Sequence, residues 1–429
     1  MPIAEVREAP MRIVYIHQHF RTPDMAGGTR SYEFARRLVD SGHDVHVIAG
    51  DQEATARRGQ RVTVEAGITV HWLPVAYANA MSYRRRLTAF ARFAWRAALV
   101  SASLPQDLVF ASSTPLTVAI PAAYAALRRR VPMVMEVRDL WPELPIAIGA
   151  LRSPVTRWAA WRLEAWAYRR SARVIALSQG TADSIAERFP EVPVTIIPNG
   201  CDLDLFAEAD EAGRALRDAD PWLGDRPLIL YAGTIGWYNG VDYLVRMAAV
   251  LARTRPEVRI AILGAGGMTD SVRDLARDLG VLDRNLALLG PVPKNAVAAY
   301  FAACDLAVST TVNLPHLGPH AGASSANKVF DALAAGRPVA MNHGGSFADL
   351  LIGTGAGLAL PPDDPDGAAA VVAALLDDET ACAAARAAAR ALARDRFSRD
   401  RLFAEFERVL TAAGAPAATP DRVAVGARR

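Results

Sequence analysis

The chain has 429 residues, of which 52% are hydrophobic and 22% charged, and its net charge at pH 7 is +3. This length exceeds one ordinary hydrophobic core and predicts two domains, while the small net charge argues against nucleic acid as a partner. The three cysteines lie far apart in the sequence, so they form neither a metal-binding motif nor a disulfide framework, which fits a reducing cytoplasm.

The N-terminal half alternates short apolar runs with helical patterns, which is typical of a parallel sheet covered by helices. The predicted strands are residues 12–16, 45–49, 108–111, 133–137, 174–177 and 194–197. After the first strand, Gly27 and Gly28 are predicted to let the backbone approach a ligand, and Arg30 to offer its guanidinium to a phosphate. The alternative is a plain tight turn with Arg30 in solvent. The Gly-x-Gly-x-x-Gly pattern of dinucleotide-binding loops is absent.

A basic helix is predicted at residues 83–100. Arg85, Arg92 and Arg96 share one face of it, and the opposite face is mostly apolar. Basic residues beside an aromatic and apolar face suit an anionic membrane surface, so we expect peripheral membrane contact here. The alternative is an ordinary surface helix packed on the sheet. No apolar run reaches the ~18 residues of a membrane span, so we expect a cytoplasmic protein that contacts at most the inner face of the membrane.

Charged residues follow the strand predicted at residues 133–137. Arg138 and Asp139 lie where open α/β sheets bind ligands, and we predict that they contact reacting hydroxyl groups. The alternative is a buried ion pair at the edge of the sheet. The next helical segment, residues 152–170, carries three tryptophans and is predicted to pack in the core.

The C-terminal half repeats the architecture. Residues 203–226 are acidic and are predicted to cross between the domains. A loop with Gly233, Thr234 and Asn239 then follows the first strand of a second series. The strands of this series are predicted at residues 228–232, 259–263, 286–289, 306–309 and 339–341. The chain is therefore predicted to be an α/β protein with two doubly wound domains facing a central cleft.

A helix that begins at Ser325 holds the strongest candidate site. The hydroxyl of Ser324 or Ser325 is predicted to cap it, and Asn327, Lys328 and Asp331 lie in or next to its first turn. A helix N-terminus and an ammonium group together suit a phosphate, and Asp331 can accept hydrogen bonds from a sugar diol.

Lysine is rare in this chain: among 48 basic residues only Lys294 and Lys328 are lysines. A chain that otherwise uses arginine is expected to place a compact point charge at Lys328 for a reason. The alternative is a solvated lysine in the first helical turn.

The segments 27–30, 138–142 and 327–331, in this order and spacing, resemble those of bacterial cell-surface polysaccharide enzymes in glycosyltransferase family 4. The resemblance spans residues 11–410 and implies the GT-B fold. It also implies retaining transfer of a sugar from a nucleotide-sugar donor, with uridine as the usual base, to a glycan or lipid-linked acceptor. No metal or other cofactor is expected.

The resemblance also implies residue roles by motif position. Lys328 would bind the diphosphate and Asp331 the ribose hydroxyls. The other implied or predicted donor-binding residues are Gly27, Gly28, Gly233, Thr234, Asn239, Ser325 and Asn327. The predicted catalytic residues are Asp139, Arg138 and Arg30.

Two departures from the family pattern bear on activity. Ala323 stands where the broader family has the first acid of a paired-acid signature. Thr234 and Asn239 stand where it has cations for the diphosphate, which places more weight on Lys328 and Arg30 or indicates weak or lost activity.

The domain prediction is an acceptor-side domain at residues 11–205, a donor domain at 206–398, a terminal helix at 399–412 that returns to the first domain, and a disordered tail at 413–429. Three other functions stay open. One is a GT-B-type nucleotide-sugar epimerase, suggested by His17, His19 and His320. The others are an NAD-dependent oxidoreductase and a catalytically weak nucleotide-sugar-binding partner.

Overall fold

The computed structural model describes residues 9–25, 27–51, 59–78, 81–147, 149–313 and 326–415, apart from the side chain of Tyr83. Each half of the chain forms one sheet with helices packed against it. The predicted class, two doubly wound α/β domains, is confirmed.

The N-terminal sheet has the strand order β3-β4-β2-β1-β5-β6-β7-β8, and all its neighbours are parallel except β3 and β4. Successive residues of the first strand, such as Ile13 and Val14, pack into different hydrophobic cores on opposite faces of the sheet. Both faces of this strand are therefore covered, which explains its continuous apolar sequence. The strands are β1 (Arg12–Ile16), β2 (Asp44–Asp51), β3 (Arg61–Glu65), β4 (Ile68–Pro74), β5 (Leu108–Ser112), β6 (Met133–Val137), β7 (Arg173–Ala176) and β8 (Val194–Ile196).

The helices of this half are α1 (Arg30–Asp40), α2 (Tyr83–Ser103), α3 (Ala119–Arg129), α4 (Glu143–Ala147), α5 (Pro154–Arg170) and α6 (Gln179–Arg188). Helix α3 contacts both α2 and α5. The prediction that the tryptophans of α5 pack in the core is wrong for two of the three. Trp158 is 66% exposed and Trp166 is 44% exposed, because they lie on the solvent side of a helix whose buried residues are Glu164, Ala167 and Tyr168.

The C-terminal sheet is entirely parallel, with the order β11-β10-β9-β12-β13-β14. Its strands are β9 (Leu228–Ala232), β10 (Arg259–Leu263), β11 (Leu286–Gly290), β12 (Leu306–Ser309), β13 (Val339–Met341) and β14 (Gly357–Ala359). The helices from here to the C-terminus are α7 (Leu203–Ala207), α8 (Ala209–Ala219), α9 (Val241–Thr254), α10 (Thr269–Asp278), α11 (Lys294–Ala303), α12 (Asn327–Ala334), α13 (Ser346–Gly353), α14 (Pro365–Asp377), α15 (Glu379–Asp395) and α16 (Arg399–Gly414).

Two stretches connect the domains. The acidic segment 203–226 folds into α7 and α8, and α8 packs on α11. The last helix, α16, lies on the N-terminal sheet, where Phe406 contacts the rings of Phe34 and Phe110 at 4.6 and 5.0 Å between centroids. Helix α16 continues to Gly414, and residues 416–429 lie outside the described residues. No helix in the described part of the chain is long and apolar enough to cross a bilayer.

Candidate functional site

A cleft of about 500 Å³ lies between the two domains; we call it the interdomain cleft. The C-terminal domain contributes the loops that follow β9, β10 and β11 and the start of α12, which is where parallel sheets bind ligands. The N-terminal domain contributes Gly27 and Gly28. The predicted site residues that line the cleft are Gly27, Gly28, Gly233, Thr234, Asn239, Asn327, Lys328 and Asp331.

Lys328 extends from the first turn of α12 toward the loop after β9. Its Nζ lies 3.8 Å from the centre of the Tyr231 ring, and a side chain at Gly233 would come within 3.1 to 3.2 Å of Lys328 Cε and Nζ. Among the described residues, no carboxylate pairs with the Lys328 ammonium. Burial without such a partner lowers the pKa of Lys328 to about 7. The site thus holds a partly buried amine, and a bound anion would favour its protonated form.

Asp331 lies one helical turn from Lys328, but it pairs with the other lysine. Lys294, the first residue of α11, places its Nζ 2.5 Å from Asp331 Oδ1, and both side chains are more than 90% buried. Burial raises the pKa of Asp331, and the attraction and hydrogen bond of Lys294 oppose that rise. Both lysines of the chain therefore line the same cleft. The rarity of lysine in the sequence was interpreted only for Lys328.

Gly28 brings the N-terminal domain against α12. A Cβ at Gly28 would lie 2.5 Å from Asn327 Nδ2, closer than side-chain atoms approach. Gly27 has a φ of +134°, which favours glycine. The paired glycines therefore allow the two domains to come together at the cleft.

Thr234 and Asn239 line the cleft without adding charge. The Tyr231 hydroxyl donates to the Thr234 carbonyl at 2.8 Å, and the Thr310 hydroxyl donates to the Asn239 carbonyl at 2.7 Å. These bonds shape the loop after β9. The described ionisable groups that line the cleft are Lys328, Lys294 and Asp331.

Arg30 requires a correction, because its guanidinium does not face a ligand. It is 0% exposed, and it pairs with Glu136 at 2.8 Å. It also donates to the carbonyls of Ile197 and Pro198. All three partners belong to the N-terminal domain, so Arg30 fixes the ends of β6 and β8 beside α1. Neither the predicted phosphate contact nor the alternative of a solvated side chain is correct.

Arg138 and Asp139 lie at the carboxyl end of β6, outside the residues that line the interdomain cleft. The Arg138 backbone N–H donates to Ser113 Oγ at 3.0 Å. Burial raises the pKa of Asp139, and the Asp139 charge in turn contributes to a raised pKa of Tyr238, whose main cause is burial. Asp139 thus acts electrostatically on a residue of the other domain. Its catalytic role stays a prediction.

Two of the histidines behind the epimerase alternative are buried bases. Burial, with a smaller effect of Arg138, lowers the pKa of His17 well below its usual range, and burial lowers the pKa of His19 to about 4. Both are therefore neutral near pH 7. His320, Ala323 and Ser325 lie outside the described residues. At the predicted cap of α12, Ala326 occupies the N-cap position without a side-chain hydrogen bond.

Two family models match the chain in succession. Residues 26–200 match a glycosyl transferase 4-like domain, and residues 226–378 match glycosyl transferases group 1. The chain belongs to the GT-B glycosyltransferases of the family 4 type. Helices α7 and α8 both fall between the two matched regions. No group of three or more potential metal ligands occurs among the described residues, and independence from metal stays a prediction.

Curated relatives match part of this glycosyltransferase. A GDP-mannose-dependent alpha-(1-6)-phosphatidylinositol monomannoside mannosyltransferase of Mycolicibacterium smegmatis is 28% identical over 200 residues, 46% of this chain and 48% of the relative. An alpha-D-kanosaminyltransferase of Streptomyces kanamyceticus is 30% identical over 160 residues, 36% of this chain and 40% of the relative. The matched region thus spans less than half the length of these relatives.

Solved structures share the fold across nearly the whole chain. Sucrose-phosphate synthase from Thermosynechococcus elongatus has a TM-score of 0.71 at 17% identity, covering 93% of this chain and 98% of that one. Anabaena HepE, in complex with UDP and glucose, has a TM-score of 0.67 at 19% identity, covering 94% of this chain and 100% of that one. At such identities the likeness shows the fold alone.

Proposed function

We propose that this chain is a retaining glycosyltransferase that takes a sugar from a UDP-sugar bound in the interdomain cleft and needs no metal. The partly buried Lys328 carries this proposal. Its ammonium lacks a carboxylate partner among the described residues, lines a cleft large enough for a nucleotide sugar, and lies on the first turn of α12. An anion in the cleft would supply the missing charge.

The start of α12 adds a second contribution to anion binding. Backbone N–H groups in the first turn of a helix have no intrahelical acceptor, and the helix dipole is positive there. A diphosphate beside Asn327 and Lys328 would receive these N–H groups and the ammonium charge together. The glycine backbones at Gly28 and Gly233 leave room for it.

The chemistry needs fixed positive charge where the leaving group forms. As the bond between the sugar and the diphosphate breaks, negative charge grows on the leaving phosphate oxygen, and Lys328 stabilises it there. In a same-face attack the leaving phosphate takes the proton of the acceptor hydroxyl, so no protein nucleophile is required. Arg138 and Asp139 are proposed to contact the sugar or the acceptor from the N-terminal domain.

We propose uridine as the nucleoside of the donor. The alternative that the relatives suggest is guanosine. HepE is described in complex with UDP and glucose, whereas the mycobacterial relative is named as GDP-mannose-dependent. The cleft is lined beside β10 and β11 by Leu263, Ala265, Pro291 and Val292, a mostly apolar wall suited to a base. Assays must therefore compare uridine and guanosine nucleotides.

We propose a lipid-linked or glycan acceptor reached by peripheral membrane contact. Helices α2 and α3 contain arginines and no acidic residue, and the one acidic residue of α5, Glu164, is buried and paired with Arg188 at 2.6 Å. The same neighbouring helices expose large apolar side chains: Trp95 at 70%, Trp158 at 66% and Leu127 at 63%. Exposed aromatic side chains beside unopposed arginines suit an anionic lipid surface.

The function is tested by product analysis with UDP-sugars and GDP-sugars, with and without a bacterial lipid extract as acceptor. Release of UDP that depends on the extract, together with a product of retained anomeric configuration, is the expected result. An isomerised nucleotide sugar without acceptor would instead identify an epimerase. Nucleotide binding without any product would identify a binding partner, the outcome that uncharged Thr234 and Asn239 favour.

A further inference from the structure

The two lysines of this chain have different environments in the interdomain cleft. Lys328 has no carboxylate partner among the described residues, whereas Lys294 forms an ion pair with Asp331, with 2.5 Å between Nζ and Oδ1. The pair joins the first residue of α11 to the first turns of α12. Lys294 is therefore already neutralised in the absence of a donor, which makes it a poor diphosphate ligand and calls for another role.

The two oxygens of Asp331 are not equivalent. Oδ1 accepts from Lys294, and among the described residues no donor bonds to Oδ2. Because Asp331 lines the cleft, Oδ2 is the oxygen available to a ligand hydroxyl. Lys294 fixes the carboxylate by one oxygen and leaves the other free.

Other charges near Asp331 are engaged with each other. Asp202 accepts both of its hydrogen bonds from Arg399, which also donates to the Gly200 carbonyl. Burial and the Asp202 charge favour protonation of Asp331, while Lys294 and, more weakly, Arg399 oppose it. The Cys201 thiol donates to the Phe330 carbonyl and not to the carboxylate. Lys294 is thus the cation in direct contact with Asp331 in the described part of the chain.

We propose that Lys294 is a positioning residue that holds the Asp331 carboxylate in the orientation and charge state needed to accept the ribose hydroxyls of the donor. This inference rests on the proposed function, because it assigns a task within the same site. It differs from a phosphate-binding role for Lys294, which would act on the other end of the nucleotide. An ionised carboxylate accepts from both hydroxyls of a diol, whereas the protonated acid is a much weaker acceptor.

The test compares nucleotides that differ only in the ribose. Calorimetry measures the dissociation constants of UDP and GDP and of their 2′,3′-dideoxy analogues for the wild type, Lys294→Met, Lys294→Arg and Asp331→Asn. The dissociation constant of the analogue divided by that of the parent nucleotide reports ribose recognition alone, since both nucleotides have the same base and diphosphate. We expect a ratio of at least ten for the wild type and close to one for Lys294→Met and Asp331→Asn. Lys294→Arg should show a ratio between these values, because the arginine can still pair with Asp331.

Two further measurements separate positioning from a merely structural role. In Lys294→Met, the residual ratio should increase as the pH is raised, because Asp331 then ionises, while the wild-type ratio stays constant. Adding Lys294→Met to Asp331→Asn should leave the ratio unchanged, because the lysine acts through the carboxylate. Lys328→Met serves as the control, because it should weaken parent and analogue equally.

The outcomes are distinguishable. Equal weakening of parent and analogue in Lys294→Met would make Lys294 a diphosphate ligand and overturn the inference. If Asp331→Asn shows the same ratio as the wild type, the inference is also overturned. If the wild type binds neither UDP nor GDP, the proposed function fails, and the inference fails with it.

Discussion

Lys328 places its ammonium 3.8 Å from the centre of the Tyr231 ring. A cation over an aromatic face gains ~0.5–2 kcal/mol, which is less than the cost of burying a charge without a counterion. The ring therefore holds the lysine in place without neutralising it. We infer that an anionic ligand completes this site.

Removing the Lys328 charge should stabilise the empty protein. The pKa of Lys328 is about 7 in the folded chain, below its ordinary value of 10.5, so the unfolded chain binds the proton more tightly. The lowered pKa reduces the free energy of unfolding by its full amount below pH 7. This reduction becomes smaller as the pH rises and is gone above pH 10.5. Lys328→Met should raise the Tm by several degrees at pH 6.5, since ~1 kcal/mol corresponds to roughly 2–4 °C in a domain of about 200 residues.

Differential scanning calorimetry at pH 6.5 and 9.5 checks this, with Arg246→Met as the control. Arg246 is 55% exposed and only loosely paired with Asp242 at 3.9 Å, so its removal should change little. A Lys328→Met protein that is less stable than the wild type at pH 6.5 would contradict the account.

Nucleotide affinity should fall as the pH rises above 7. The free protein then loses the Lys328 proton, which must be taken up again when a diphosphate binds. Linkage predicts a loss of up to about tenfold in affinity per pH unit. Calorimetry of UDP binding at pH 7, 8 and 9, in buffers of different ionisation enthalpy, should show uptake of nearly one proton at the highest pH. Lys328→Arg, which stays charged, should bind without this dependence, and a wild-type affinity that is constant from pH 7 to 9 would refute the assignment.

A methyl group at Gly28 should displace the Asn327 side chain, which lines the cleft. It would lie 2.5 Å from Asn327 Nδ2, so Gly28→Ala is expected to weaken UDP binding about tenfold. The loss should be much smaller in an Asn327→Ala background, because the clash is then relieved. Gly267→Ala is the matched control, since a Cβ there meets nothing within 4 Å. Equal UDP affinity of Gly28→Ala and wild type would show that this contact does not affect nucleotide binding.

The exposed surface of α2 should determine membrane binding. Arg84, Arg85 and Arg92 are exposed, whereas Arg96 donates to the Pro74 carbonyl and is partly engaged. Replacing the three exposed arginines by alanine should remove most co-sedimentation with vesicles containing anionic lipid, at ~1 kcal/mol for each charge. Replacing Arg246 and Arg277 of the C-terminal domain by alanine should leave this co-sedimentation unchanged. Equal co-sedimentation of the two variants, or no binding by the wild type, would exclude this surface.

The alternation of strands and helices predicted the two sheets because buried parallel strands are continuously apolar, as in β1. The helix with Lys328 and Asp331 was also predictable, since local spacing sets which residues share its first turns. The scarcity of lysine pointed to Lys328. The same signal applied to Lys294, but a contact across 37 residues cannot be inferred from spacing along a helix.

Arg30 shows where sequence reasoning fails. An arginine after a glycine loop has the same local pattern whether it faces a ligand or a buried carboxylate. Its partner Glu136 lies 106 residues away, on strand β6 of the sheet. Trp158 and Trp166 were assigned to the core because tryptophan is usually well buried, and only the packing of α5 reveals that they are exposed.

The most direct test of the account is thermal unfolding of the wild type and Lys328→Ala with UDP, GDP, dTDP and NAD. A ligand at ~100 times its dissociation constant adds about 2.7 kcal/mol to stability, which is several degrees for a domain of this size. The account predicts that UDP raises the Tm of the wild type and that Lys328→Ala loses most of this increase. Stabilisation by NAD alone, or by UDP equally in both proteins, would contradict a donor site built on Lys328.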